Sequence, residues 1–183
     1  AIGPSISAEL RQRAVTAVTL TLITVFLYVA WAYRKVSGRV RAWKYGALVV
    51  FAGLHDAIIP VGVFAALGHF KGVEIDGAFV AAILTILGYS INDTIIIFDR
   101  IRENMLKLGG EVAVIVEKSV KQSIMRSINT TATVLLALLA IYIFGGSTTQ
   151  NFALALFIGI ASGAYSSIFL ASPLIVSWQK KNA

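Results

Sequence analysis

Two carboxylates sit where apolar helices leave little room for charge, and they are the residues whose chemistry needs explaining. Of the nine acids in the chain, only Asp56 and Asp93 fall inside long apolar runs. Asp93 is followed by five uncharged residues before Asp99 and Arg100. A carboxyl group on a membrane-type helix is costly to place, so it has a partner or a task. Arg126 stands at the mouth of the next apolar run, just ahead of Ser127, Asn129, Thr130 and Thr131. Its long stem tolerates apolar surroundings while the guanidinium seeks a partner, so an Asp93–Arg126 contact across two helices is feasible. Removal from water favours the neutral form of a carboxyl, and a nearby guanidinium favours the ionised form. An acid whose Arg partner comes and goes would therefore load and release protons. The alternative is a purely structural acid, hydrogen-bonded to Asn92, Thr94 or Asn129 and fixing helix packing.

His55-Asp56 forms a second polar point. Pro60 lacks the N–H that would bond the Asp56 carbonyl four residues earlier, so a kink is expected there. A kink beside a carboxylate can line a polar path, with His55 as a further proton carrier, or it can be a bend in which a neighbouring hydroxyl satisfies Asp56. In the last apolar run Gly159, Ser162, Gly163, Ser166 and Ser167 make a small-residue stripe of the kind that lets helices approach closely. We read Gly159, Gly163 and Ser166 as packing residues. No Ser/His/Asp triad, metal cluster or phosphate loop is visible, so neither bond-breaking catalysis nor a cofactor is expected.

The elements that must position these groups are membrane spans. The 183 residues are 57% hydrophobic and 14% charged, with mean hydropathy +0.81, too apolar for a water-soluble domain of this size. Apolar runs long enough to cross a bilayer core of about 30 Å occupy 14–33, 46–67, 78–98, 127–144 and 152–178. The polar segment 99–126 pairs Glu103 with Lys107, breaks at Gly109-Gly110, and resumes with Val116, Val120 and Ile124 on one face. It predicts a short cytoplasmic amphipathic helix lying on the membrane surface. The expected fold is all-α: a bundle of five transmembrane helices plus that short helix, in one transmembrane domain over 1–183.

The formal charge of +7 is distributed topologically rather than as a nucleic-acid patch. Thirteen of the sixteen basic residues fall in the 34–44 gap, the 99–126 segment or the C-terminal tail. The positive-inside rule then puts those segments in the cytoplasm and the N-terminus outside. No signal peptide shows, because the first apolar run is too long for one and ends in Arg34-Lys35. Zero Cys excludes disulfides and thiolate metal sites. An odd span count starting outside, in a chain beginning with Ala, suggests part of a longer polypeptide.

Gly88-Tyr89-Ser90-Ile91-Asn92-Asp93-Thr94 followed by Phe98-Asp99-Arg100-Ile101-Arg102-Glu103 resembles the fourth-helix signature of the SecF family of bacterial protein-export membrane subunits. Gly3-Pro4, Arg126-Ser127-Ile128-Asn129-Thr130-Thr131 and the run from Gly163 to Pro173 agree with it, as does His55-Asp56. The resemblance covers nearly the whole chain and implies a six-helix subunit with a periplasmic domain between the first two helices, this chain matching the part after that domain. It implies pairing with SecD in a bundle of the RND superfamily within the bacterial inner membrane. It further implies assistance to a translocating preprotein at the SecYEG channel, driven by protons. The family's acid and arginine fall on Asp93 and Arg126, with Asn92, Thr94 and Asn129 as orienting residues and Asp56 as a lesser relay candidate. A small-molecule exporter of the RND type and a scaffold that docks SecD onto the channel are the rival expectations.

Overall fold

The computed structural model describes residues 4–34 and 40–180. Within them the chain is a helical bundle: α1 (Pro4–Ala32), α2 (Ala42–Lys71), α3 (Gly77–Lys107), α4 (Val112–Phe144), α5 (Ser147–Ser166), a π turn (Ser167–Ala171) and α6 (Ser172–Lys180). The last three form one continuous rod. Five helical segments are long and apolar enough to cross a membrane, making this a multi-pass membrane protein of the all-α class. Lys35, Arg39, Gly3 and the tail beyond Lys180 lie outside the described residues.

Local chemistry sets the helix ends. The Asp76 side chain accepts the Phe79 N–H at 2.9 Å, capping α3. α2 stops at Gly72, whose φ of 67° closes the last turn with a bond to the Gly68 carbonyl. α3 stops before Gly109-Gly110, and Gly110 takes φ 106°. In the last rod Pro173 supplies no N–H to the carbonyl four residues back, that of Phe169, which lies within the wider π turn.

α2, α3 and α5 make the centre, α4 packs on α3 and α5, and α1 lies outside against α2. α1 buries little and shows Leu20, Ile23, Leu27 and Trp31 outward, as a lipid-facing helix does. The basic end of the bundle gathers the end of α1, the start of α2, the end of α3, the start of α4 and the end of α6. Tyr33 stacks on Tyr45, which meets Phe98 edge-on. The Lys44 ammonium donates to the Trp178 carbonyl at 3.1 Å, and the Trp43 and Trp178 rings meet at 5.5 Å. Aromatic rings with basic side chains among them are the usual furniture of a membrane interface.

One expectation is corrected. The amphipathic stretch after Gly110 is helical, but it is the first third of α4 and not a separate surface helix. No Gly or Pro interrupts 112–144, so nothing stops the helix at the membrane boundary. Its apolar face is covered by the equally extended end of α3, where Asn104 Nδ2 donates to Ser119 Oγ at 2.8 Å and to Gln122 Oε1 at 2.9 Å. With 31 residues in α3 and 33 in α4, both rods exceed the ~20 residues a bilayer core requires. They project beyond it as a hairpin. The surface pairs Glu103–Lys107 and Glu117–Lys121, each at 2.6 Å, lie on that projection.

The α3–α5 contact depends on glycine. A Cβ at Gly159 would fall within 2.6 Å of Ile86 Cγ1, whereas one at Gly88 would meet nothing within 4 Å. Gly159→Ala is therefore expected to destabilise the bundle by about 1–3 kcal/mol, the usual cost of overpacking. Gly88→Ala is expected to be neutral or slightly stabilising. Reversible unfolding by SDS in mixed micelles measures both, and equal effects would remove the close α3–α5 contact as a source of stability.

Candidate functional site

Asp56 and Asp93 are both buried, and the structure treats them differently. Asp56 is fully enclosed on α2 and is met from three sides. Ser162 Oγ of α5 donates to Oδ1 at 2.9 Å, and Ser166 Oγ of the same helix donates to Oδ2 at 2.6 Å. Ser90 Oγ of α3 donates to Oδ2 in a short bond. His55 Nδ1 lies 2.9 Å from Oδ1, its ring one-third exposed. Both oxygens are thus occupied twice. Short serine side chains can reach only because the backbones are close: a Cβ at Gly163 would sit 3.1 Å from Ser90 Cβ and 3.5 Å from Asp56 Oδ2.

Asp93 lies one turn beyond Ser90 on α3 and is 5% exposed. Ser127 Oγ of α4 donates to Oδ1 at 2.6 Å. Oδ2 is buried and has no hydrogen-bond partner among the described residues. Beside it, Thr94 Oγ1 and Ser167 Oγ share a hydrogen bond of 2.8 Å, joining α3 to the π turn. The Ser167 carbonyl in turn accepts from Ser172 Oγ at 2.8 Å.

The residues singled out by sequence separate accordingly. Thr94 is buried next to Asp93, whereas Asn92 and Asn129 are exposed and make no hydrogen bond to Asp93 among the described residues. Arg126 is exposed and forms no ion pair with Asp93 among the described residues. It lines a cavity of about 280 Å³ between α3 and α4 at the basic end, together with Asp99, Arg100, Glu103, Gln122 and Ser123. Ser127, Ser90 and Ser162 were missed as carboxylate partners, and Ser166, read from the sequence as a packing residue, is one as well, donating to Asp56. Their signal was present: Ser127 stands four residues after Ser123, and Ser162 four before Ser166, each pair on one helix face. Among the described residues no three His, Cys, Asp or Glu groups gather into a metal-binding cluster.

Fold and site together define a multi-pass helical membrane protein with an acid-and-hydroxyl centre where α2, α3, α4 and α5 meet. The comparisons with known proteins narrow that class. The family model "Protein export membrane protein SecD/SecF, C-terminal" matches residues 1–181. The chain is 50% identical over 182 residues to the protein translocase subunit SecF of Thermobaculum terrenum, covering 99% of this chain and 56% of that one. It is 41% identical over 181 residues to the SecDF subunit of Thermus thermophilus, 98% of this chain and 23% of that one. The crystal structure of Thermus SecDF, described as a translocon-associated membrane protein, superposes with TM-score 0.86 at 41% identity over 98% of this chain and 23% of that one. A second solved structure, SecDF in a super-membrane-facing form, superposes with TM-score 0.80 at 39% identity, over 99% of this chain and 23% of that one. The chain belongs to the SecD/SecF C-terminal family. It spans about half the length of the single-subunit relatives it matches.

The Asp56 network makes a stability test. Asp56→Leu leaves three serine donors without their acceptor in a dry interior, a loss of about 3 kcal/mol at roughly 1 kcal/mol per hydrogen bond. Asp56→Asn keeps an acceptor oxygen and is expected to lose less than half of that. SDS unfolding of both variants gives the comparison, and a neutral Asp56→Leu would show that this network does not hold the helices.

Proposed function

We propose that this chain is the membrane-embedded part of a SecF-type subunit that works with SecD and uses the proton-motive force to assist preprotein movement through the SecYEG channel. Family membership and the names of the relatives support the export role. The SecDF chains, in which both halves are one polypeptide, support SecD as the partner. The observation that carries the proton role is Asp93: an acid 95% buried in mid-bundle with one carboxylate oxygen left without a protein partner.

Asp93 is the group that takes up and releases the proton. Ser127 orients it, and the Thr94–Ser167 pair fixes α3 against the π turn beside it. Arg126, at the cavity mouth, sets the potential that the carboxylate feels and favours its ionised form on approach. Asp56 holds the helices that frame the relay, since both its oxygens are already doubly engaged. The basic end faces the cytoplasm, and the opposite end faces the outside of the bacterial inner membrane. One proton crossing is worth about 2.3 kcal/mol per 100 mV, so a few protons suffice for a stroke that repacks helices. The chemistry is charge movement and conformational change, with no substrate bond broken.

Asp93→Asn is expected to abolish the proton-motive stimulation of export in vesicles carrying the whole subunit with SecD and the channel, while the complex still co-purifies. Asparagine preserves the shape and the Ser127 hydrogen bond but cannot titrate. Stimulation that survives in an intact Asp93→Asn complex would assign the protein to the scaffold role instead.

A further inference from the structure

At the basic end α2 and α6 border a groove that faces away from both buried acids. On α2, Lys44, Ala47, Leu48 and Phe51 follow an i, i+3, i+4, i+7 spacing, which puts them on one face. On α6, Leu174, Ser177 and Trp178 repeat the first part of that spacing. Lys44 apart, these residues line an open cavity of about 540 Å³. Lys44 stands at its cytoplasmic margin, where its ammonium donates to the Trp178 carbonyl at 3.1 Å and lies 5.9 Å from the centre of the Trp178 ring. The Trp43 ring meets that of Trp178 edge-on, and such a pair marks the level of lipid headgroups.

The cations at this margin differ from those of the α3–α4 hairpin. Arg100, Arg102, Lys107 and Lys121 each pair with a carboxylate. Lys44 is buried, and Arg41, the N-cap of α2 three residues earlier, is exposed. Neither has a carboxylate partner among the described residues. Local sequence supplies none, since no Asp or Glu occurs between residues 35 and 55 or after Glu117. An ammonium carries three donors, and the Trp178 carbonyl takes one of those on Lys44. Two cations without acids, beside an apolar groove at headgroup level, select an anionic group joined to a hydrocarbon chain.

We propose that this groove binds an anionic phospholipid of the leaflet at the basic end. Its phosphate sits on Arg41 and Lys44, its glycerol lies level with the two tryptophans, and one acyl chain runs between Phe51 and Leu174. Depth favours a lipid chain over a helix. From Lys44 to Phe51 the groove runs about 10 Å at 1.5 Å per residue, within one leaflet of a core about 30 Å thick. A partner helix would need a seat along the whole core, and close helix contacts use small residues. The glycines of α5 are already turned to α3, whereas exposed Phe51 and Phe169 border the outward side here. This site is independent of the relay reading.

The test places the whole subunit with SecD in nanodiscs of phosphatidylglycerol and phosphatidylcholine in equal amounts. Photoreactive p-benzoylphenylalanine replaces Ser177 in the groove or, as the control, Leu27 on the lipid-facing side of α1. Mass spectrometry identifies the lipid adducts formed on illumination. The ratio of phosphatidylglycerol to phosphatidylcholine adducts is expected to be about fivefold higher at position 177 than at position 27, the scale set by one cation near an anionic headgroup. Arg41→Gln, at an exposed position, is expected to halve that enrichment at least, and Arg41→Gln with Lys44→Gln to abolish it. If the double variant fails to co-purify with SecD, the exposed single variant decides. Equal ratios at the two positions would overturn the site, as would enrichment that is unchanged in Arg41→Gln. Adducts at position 177 to a protein segment in place of lipid would also overturn it, and would make the groove a subunit interface.

Discussion

Everything in this bundle depends on the demand that a carboxylate taken out of water be matched by donors. In hydrocarbon an unmatched carboxylate is costly, and at Asp56 the structure answers that demand on both oxygens. Three serines from two helices and the adjacent His55 surround its two oxygens. A serine hydroxyl lies close to its own backbone, so three of them can meet one carboxylate only if the helices nearly touch. Gly159 and Gly163 permit that approach on α5. The acid, the serines and the glycines thus form a single constraint that sets the register of α2, α3 and α5. Moving any of the three helices by one residue would turn the donors about 100° away.

Asp93 shows what the same chemistry does when it is left incomplete. It stands one turn from Ser90, so the helix that helps to satisfy Asp56 also carries the acid that is not satisfied. Ser166 and Ser167 make the distinction sharper. The first reaches Asp56 and the second reaches Thr94, although they are neighbours in sequence. The helix changes from α to π at that point, and a wider turn alters how successive side chains are aimed. π turns of this kind are frequent at functional sites. Here its first residue, Ser167, bonds Thr94 beside the buried carboxylate with an open oxygen.

The spans and the two buried acids were legible in the sequence because both are bulk properties: length of apolar run, and charge where charge is costly. Their partners were less legible because contacts depend on rotation. Arg126 and Ser127 are adjacent, yet about 100° of helix separates their directions, and the α3-facing one is the serine. Asn92 fails to reach Asp93 for the same reason: neighbours on a helix point apart. The i, i+4 series Ser119, Ser123, Ser127, Thr131 was readable, but a polar first turn of a span draws attention as a block and not as a face. The amphipathic start of α4 was ambiguous in principle. An apolar stripe with charges opposite fits a membrane surface and a partner helix equally, and only the equally long end of α3 decides between them.

The contrast between the two acids also says where force would be applied on the relay reading. An ionised carboxylate only accepts hydrogen bonds, whereas a protonated one offers a donor as well. At Asp56 three serine hydroxyls already donate, so a proton there would face hydroxyls that would have to turn away, and the α2–α3–α5 frame would resist it. At Asp93 one oxygen is open, so a proton can be accepted there without breaking the Ser127 bond. The change is then felt at the α3–α4 contact and the π turn, and not at the frame. A structure that holds three helices rigidly with one acid and leaves the other half-coordinated against a fourth helix separates the part that must stay fixed from the part that can move. Coupling proton passage to motion is served by that separation, because a change at the Asp93 contact moves one helix against another only while the rest of the frame stays in place.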